Sequence, residues 1–201
     1  MRTKRGYPIN AIFVRHGKAE SAVNGNDQER LLSTEGLEQA QKRAASLKGL
    51  TMSGGLVVGV SSSARRAAET GAIVFGVPMV ELPELYLPTD PHDRVSGDAD
   101  FAYLGYRSLR DYIAHDRTGW IFRYGLSAVN AIRRVEWPSP ANRGGPLFMG
   151  IVGHAVSLNL VAMLMFPEYA DVLRDICLGE AEALVIGPSG LAHYGAEIIK
   201  Y

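Results

Sequence analysis

Two apolar runs in this chain stop at a histidine, and a third leads into a pair of arginines. Ala11-Ile12-Phe13-Val14 ends at Arg15-His16-Gly17, and Leu147 to Val152 ends at Gly153-His154. Leu56 to Val60 passes through Ser61-Ser62-Ser63 into Arg65-Arg66. Short apolar runs of this kind read as buried strands. In a parallel α/β sheet the carboxyl ends of the strands open on one crevice, so two histidines and up to three arginines would meet there. Cations gathered in such a place repel one another unless an anion lies among them. A phosphate group supplies that charge, because the planar fork of arginine fits its oxygens and helix N-termini after the strands add N–H donors. Gly17 would let the backbone approach the ligand closely. Ser62 and Arg65 are further candidates for binding it.

The elements that must position these residues alternate along the chain. After the first strand, residues 18 to 30 are polar and read as a loop. Ser33 or Thr34 opens a helix with apolar positions at Leu37, Ala40, Ala44 and Leu47, closed by Gly49. The second strand, 56 to 60, gives way to a polar turn at 61 to 63. A helix over 64 to 75 then ends at Gly76 and Pro78. Met79 to Leu82 suits a short edge strand, and residues 83 to 98, with several prolines and acids, suit a loop. Residues 99 to 134 have helical spacing in two pieces, broken near Gly119 or Gly125. A Pro/Gly loop at 138 to 146 precedes the third strand, and 157 to 166 is an apolar helix. Ala183 to Ile186 and Gly195 to Ile199 read as closing strands around Pro188-Ser189-Gly190. Strands alternating with helices predict a three-layer α/β/α sandwich, with a central, mostly parallel sheet and a helical insertion at about 96–137. A chain of 201 residues is expected to form one domain, 1–201.

Bulk composition narrows the function classes. Formal net charge is zero, which gives no electrostatic support for nucleic acid or a membrane as partner. Cys177 is the one cysteine, so neither a disulfide framework nor a cysteine-rich metal site is expected. The basic residues Arg2, Lys4 and Arg5 precede an apolar stretch too short for a signal peptide, and a cytoplasmic location is the expectation.

Taken in order, these residues resemble the histidine phosphatase superfamily, also called phosphoglycerate-mutase-like. Its opening Arg-His-Gly stands here as Arg15-His16-Gly17. Its Ser-x-x-x-Arg-Ala-x-x-Thr stands as "SSARRAAET", Ser62 to Thr70, which makes Arg66 the matching arginine. Its late histidine stands as His154, and "ERLLSTEGLEQAQKRA" is similar to its Arg-x-Leu-Thr-x-x-Gly-x-x-Gln-Ala segment. The resemblance is thin between about 95 and 145. It implies that His16 attacks phosphorus to give a phosphohistidine, while Arg15, Arg66 and His154 hold the oxygens of the phosphoryl group. The neighbouring arginines would lower the His16 pKa by like-charge repulsion and keep it neutral. Neither a metal nor another cofactor is implied.

The general acid for an alkoxide leaving group would be Glu84 in "LPELY", with Glu81, Asp90 and Asp93 as substitutes in the same region. Other positions depart from the family. No Gly-x-Trp-x-Gly follows Glu84, and Ala155 replaces the glycine common after the late histidine. Ala19 and Ala22 stand where the mutases carry Ser and Asn, so a phosphatase is expected rather than a mutase. The compact loop before "ERLLSTEG" is more similar to the short phosphohistidine phosphatases, whose P–N bond needs little acid help. The expected partner is a phosphorylated small molecule or a phosphoprotein. A phosphate-binding or regulatory module with weak turnover is the alternative. Residues 96 to 137 carry aromatics with Arg107, Arg110 and Arg123, and form either a packed helical insertion or a lid. His92, His115 and His193 have no motif around them and read as structural.

Overall fold

The computed structural model describes residues 9–22, 24–52, 56–136 and 147–201. Its strands are β1 (Ile9–Arg15), β2 (Leu56–Ser62), β3 (Met79–Leu82), β4 (Leu147–Gly153), β5 (Ala183–Gly187), β6 (Gly190–Tyr194) and β7 (Ile198–Lys200). They form one seven-stranded sheet in the order β3-β2-β4-β1-β5-β6-β7. The pairings among β3, β2, β4 and β1 are parallel, and those from β1 through β5 and β6 to β7 are antiparallel.

Central strands buried on both faces read as continuous apolar runs rather than alternating ones. Ala11, Ile12, Phe13 and Val14 are all fully buried, and they divide by parity. Ala11 and Phe13 join Met149 and Ile151 in one core, and Ile12 and Val14 join Phe148 and Val152 in the other. The second core is capped by α1 (Thr34–Met52) and α2 (Arg65–Phe75), through Ala40, Leu47, Ala67, Val74 and Phe75. The first is capped by α4 (Leu109–His115), α5 (Trp120–Arg134), α6 (Ala155–Met165) and α7 (Ala170–Asp175). Two cores on opposite faces of one sheet make the three-layer α/β/α sandwich. Among the described residues no single helix is long and apolar enough to cross a membrane.

Several boundaries differ from the sequence expectation for local reasons. Helix α1 runs through Gly49 to Met52, because a glycine ends a helix only where the chain turns left-handed after it. At Gly76 it does so, with φ 68°, and α2 stops there. The loop expected over 83 to 98 already holds α3 (Pro91–Leu104), whose start is set by Asp90 accepting from the His92 and Asp93 N–H groups, with Pro91 in the first turn. The insertion therefore begins near 91 and has three helices rather than two, broken at Gly105 and Gly119, while Gly125 lies inside α5. The Pro188-Ser189 hairpin is present, but its second strand is β6, and the chain turns again into β7. The loop expected at 138 to 146 lies outside the described residues.

The sheet order brings the site together. Strand β4 lies between β1 and β2, with Arg15 opposite Gly153 and Ser61 opposite Val152. All three carboxyl ends thus reach one rim. Next to it, β1 leaves the sheet pressed against the start of α1. A Cβ on Gly17 would sit 2.7 Å from the Gly36 carbonyl oxygen, and a Cβ on Gly36 would collide with the Lys18 carbonyl. Gly36 is the glycine of "ERLLSTEG". Gly36→Ala should cost about 1–3 kcal/mol, because the obstacle is backbone and cannot swing aside. A urea-unfolding midpoint equal to that of the parent protein would refute this close approach.

Candidate active site

His16 follows directly after β1. Its Nδ1 donates to the Gly17 carbonyl at 2.7 Å, which leaves the Nε2 lone pair free of a proton. Arg66 Nε donates to that Nε2 at 3.3 Å. His154 is the N-cap residue of α6, but its side chain caps nothing. Its ring turns instead edge-on to His16, with centroids 4.9 Å apart. Ser62 Oγ, fully buried at the end of β2, pairs with His154 Nε2 at 3.1 Å. Thr70 on α2 donates to the Arg66 carbonyl at 2.7 Å and accepts from Gly17 N–H at 3.1 Å. The glycine after the histidine thus serves close packing of β1 against α1 and α2.

Arg66 is only 4% exposed. Besides His16 it binds Asp27, through Nη1 to the backbone carbonyl at 2.5 Å and through Nη2 to Oδ2 at 2.8 Å. Tyr86 donates to the same Oδ2 at 2.8 Å, and Arg30 Nη1 binds Oδ1 at 2.8 Å. The Tyr86 ring also lies against His154, centroids 5.3 Å apart. Asp27 and Tyr86 are site residues that the motif reading passed over. Asp27 sat in a polar loop with no periodicity. Its one sequence signal was the need of a cationic cluster for an anion.

The environment fixes protonation. Burial, aided by the charges of Arg66, Arg15 and Arg30 and opposed by the Gly17 carbonyl, lowers the His16 pKa from 6.5 to about 4. Burial, more than the like-charge repulsion anticipated from sequence, keeps this imidazole neutral. Burial and the charges of His16, Arg66 and Arg15 likewise hold His154 well below its ordinary value. For Asp27 burial pushes upward, but hydrogen bonds from Arg30, Tyr86 and Arg66 prevail and hold the carboxyl well below the usual range. Burial and the adjoining Asp27 push Tyr86 up to about 12, so it remains a donor.

The other candidates have partners of their own. Arg15 Nη1 donates to the Leu178 carbonyl at 2.7 Å, and its guanidinium lies over the Tyr106 ring, 4.9 Å from the centroid. Arg65 is the binding candidate at the start of α2. It lies on the exposed surface of α2, 3.6 Å from Glu69 one turn on, because Arg66 takes the inward position. Glu84 is engaged by Arg134 Nη2 at 3.0 Å. Asp90 caps α3, Asp93 is held by Arg123 at 2.6 Å, and Glu81 is exposed on the edge strand. Asp90 and Asp93 line a cavity of about 370 Å³ with Arg123 and Tyr124 that contains none of the strand-end residues. Its lining also includes His92 and Ser127. His115 lies 3.5 Å from Asp100 and His193 2.9 Å from Glu182, as structural histidines would. Among the described residues no group of three or more His, Cys, Asp or Glu side chains is arranged to hold a metal ion.

Comparison with known proteins follows the geometry. Residues 11–86 match the Histidine phosphatase superfamily (branch 1). No protein of curated function matches the chain by sequence. In fold it is similar to a candidate phosphohistidine phosphatase, SixA of Agrobacterium tumefaciens, at 17% identity and TM-score 0.54, over 97% of this chain and 99% of that one. It is similar to a mycobacterial glucosyl-3-phosphoglycerate phosphatase at 18% identity and TM-score 0.56, over 89% of each chain. That enzyme has also been solved with VO3. An Entamoeba histolytica phosphoserine phosphatase matches at 16% identity and TM-score 0.54, over 94% of this chain and 98% of that one.

A lowered histidine pKa makes stability depend on pH. Below 6.5 the unfolded chain binds a proton that folded His16 refuses until about pH 4. Stability should therefore fall as pH drops through that window and be fully present above it. In thermal melts from pH 4 to 7, His16→Ala should flatten this fall. A variant curve parallel to that of the parent would contradict the assignment.

Proposed function

We propose that this chain, whose residues 11–86 match the histidine phosphatase superfamily and whose fold is similar to that of solved phosphatases, is a metal-independent phosphatase working through a phosphohistidine on His16. The observation that carries the reading is the unprotonated His16 Nε2, held neutral by burial and addressed by Arg66 Nε at 3.3 Å. In the first step Nε2 attacks phosphorus, the bond from phosphorus to the leaving atom breaks, and its electron pair departs with the leaving group. In the second step water attacks phosphorus, the Nε2–P bond breaks, His16 recovers its lone pair and inorganic phosphate leaves. Arg66 and His154 face the charge that develops on the phosphoryl oxygens, which is the larger part of phosphoryl-transfer catalysis.

Two features refine this reading. Asp27 occupies Arg66, its carboxylate on Nη2 and its backbone carbonyl on Nη1, so substrate binds by displacing the carboxylate from Nη2. A phosphoryl dianion carries more charge than one carboxylate and is the better partner for the clamp. Secondly, the carboxylate expected to act as acid is tied to Arg134. Leaving groups that need no protein acid are therefore favoured over alkyl phosphates, namely aryl, enol or acyl phosphates, which depart as stabilised anions, and phosphoramidates such as phosphohistidine, whose basic nitrogen takes its proton from water.

His16→Ala should reduce turnover of an aryl phosphate by about 10³-fold or more while the protein stays folded. Rapid quench of the parent enzyme should trap acid-labile, base-stable label. Residual turnover within tenfold of the parent would exclude His16 as nucleophile, and activity abolished by EDTA would exclude the metal-independent reading. Asp27→Asn should tighten vanadate binding by about 10- to 100-fold, since the resident anion no longer competes for Arg66. Weaker vanadate binding in that variant would mean that Asp27 holds Arg66 in place without competing.

A further inference from the structure

Beside Arg15 lies a cavity of about 210 Å³. Its polar lining comes from Arg15, Tyr106, Arg107, Asn159 and the first residues of α6, Ala155 and Val156. Three observations make it more than a surface recess. Arg15 Nε is buried and has no hydrogen-bond partner. Asn159 is 1% exposed, and its Nδ2 is spent on the Leu173 and Ile176 carbonyls at 2.9 Å each, while its buried Oδ1 accepts from nothing. The N–H groups opening α6 have no partner inside the helix and no side-chain cap, and the helix dipole adds positive potential there. Such buried, unsatisfied polar atoms are rare and call for a ligand.

We propose that this cleft is the leaving-group subsite of the phosphatase reading above, built for a small phosphorylated compound that carries a second anion. The inference rests on that reading. Its chemistry follows from the lining. Arg15 Nε, Arg107 and the α6 N–H groups are all donors or cations, and they suit a carboxylate or a second phosphate. Asn159 Oδ1 accepts one N–H or O–H of the same ligand. Tyr106, already stacked on Arg15, offers a ring face to a planar group. Two of its lining residues flank the histidines along the chain, Arg15 before His16 and Ala155 after His154. A protein phosphohistidine releases a neutral imidazole, which leaves these cationic donors unused. Together with the engaged Glu84, the subsite selects small anionic aryl, enol, acyl or amido phosphates.

The test uses matched pairs. Phenylphosphonate and 3-carboxyphenylphosphonate do not turn over, so their dissociation constants report the cleft whether or not the protein is an enzyme. The carboxylated member should bind at least about tenfold tighter, the worth of one charge-assisted hydrogen bond. Phenyl phosphate, 3-carboxyphenyl phosphate, 1,3-phenylene bisphosphate and a phosphohistidine peptide then supply the kinetic arm and separate a carboxylate from a second phosphate. Arg107→Glu, at an exposed position, should collapse the carboxylated-to-plain affinity ratio toward one. Equal affinities in the parent protein, an unchanged ratio in Arg107→Glu, or preference for the peptide over every small ester would overturn the subsite. An intact affinity ratio with no turnover of any ester would uphold the subsite and reject the phosphatase reading.

Discussion

The rest of the site depends on one buried guanidinium. Removing a full charge from water is costly unless it is paired and hydrogen-bonded, and Arg66 retains almost no exposure. Its partners therefore dictate the arrangement around it. Asp27 supplies the opposite charge, so the loop before α1 must fold back over the rim. Tyr86 and Arg30 then hold Asp27, which fixes where the chain runs after β3. The backbone of Arg66 is tied through Thr70 to Gly17, so the helix carrying the charge and the strand carrying the histidine cannot shift independently. A histidine beside such a cation, and itself buried, has every reason to stay neutral.

This constraint explains what the sequence disclosed about the site. Cations at three predicted strand ends implied an anion, and that inference needed no coordinates. The chain, however, places its own carboxylate on the clamp arginine, and Asp27 in "NGNDQER" carries no local mark of this. Arg65 and Arg66 differ by one helical step of about 100°, which puts one on the surface and one inside. The motif distinguished them through the spacing to Thr70. Composition alone could not. Glu84 was legible as a carboxylate in the expected place, but its engagement by Arg134 joins residues far apart in sequence and is visible only in three dimensions.

The fold was readable to a similar depth. Runs buried on both faces announced β1, β2 and β4, and their identification needed only continuous apolar character. Their order in the sheet was not written in any local pattern, because β4 pairs between two strands that lie far before it in the sequence. The insertion was misjudged at its start because acids and prolines favour loops in general, while Asp90-Pro91 in particular is an N-cap followed by a first-turn proline. The closing strands shifted for a related reason. Gly190 starts β6 with φ 112°, a value open to glycine, so the turn is shorter than composition suggested and a third strand fits after it.

Asp27, Glu84 and the cleft at Arg15 bear on one question, the charge balance of the reacting centre. On the proposed reading, a phosphoryl group that enters would displace the Asp27 carboxylate from Arg66, so the rim would exchange one anion for another. On the proposed leaving side Glu84 is tied to Arg134, and the cleft is lined by Arg15 and Arg107, with one unsatisfied donor, Arg15 Nε, and one unsatisfied acceptor, Asn159 Oδ1. Donors stabilise negative charge on a departing group, whereas a protonated carboxyl would hand it a proton. An electrostatically positive leaving side thus suits a group that departs as a stabilised anion or a neutral amine. Selectivity would then arise from the basicity of the leaving atom and from the charge it carries with it, and both depend on the same few buried donors around Arg15 and the start of α6.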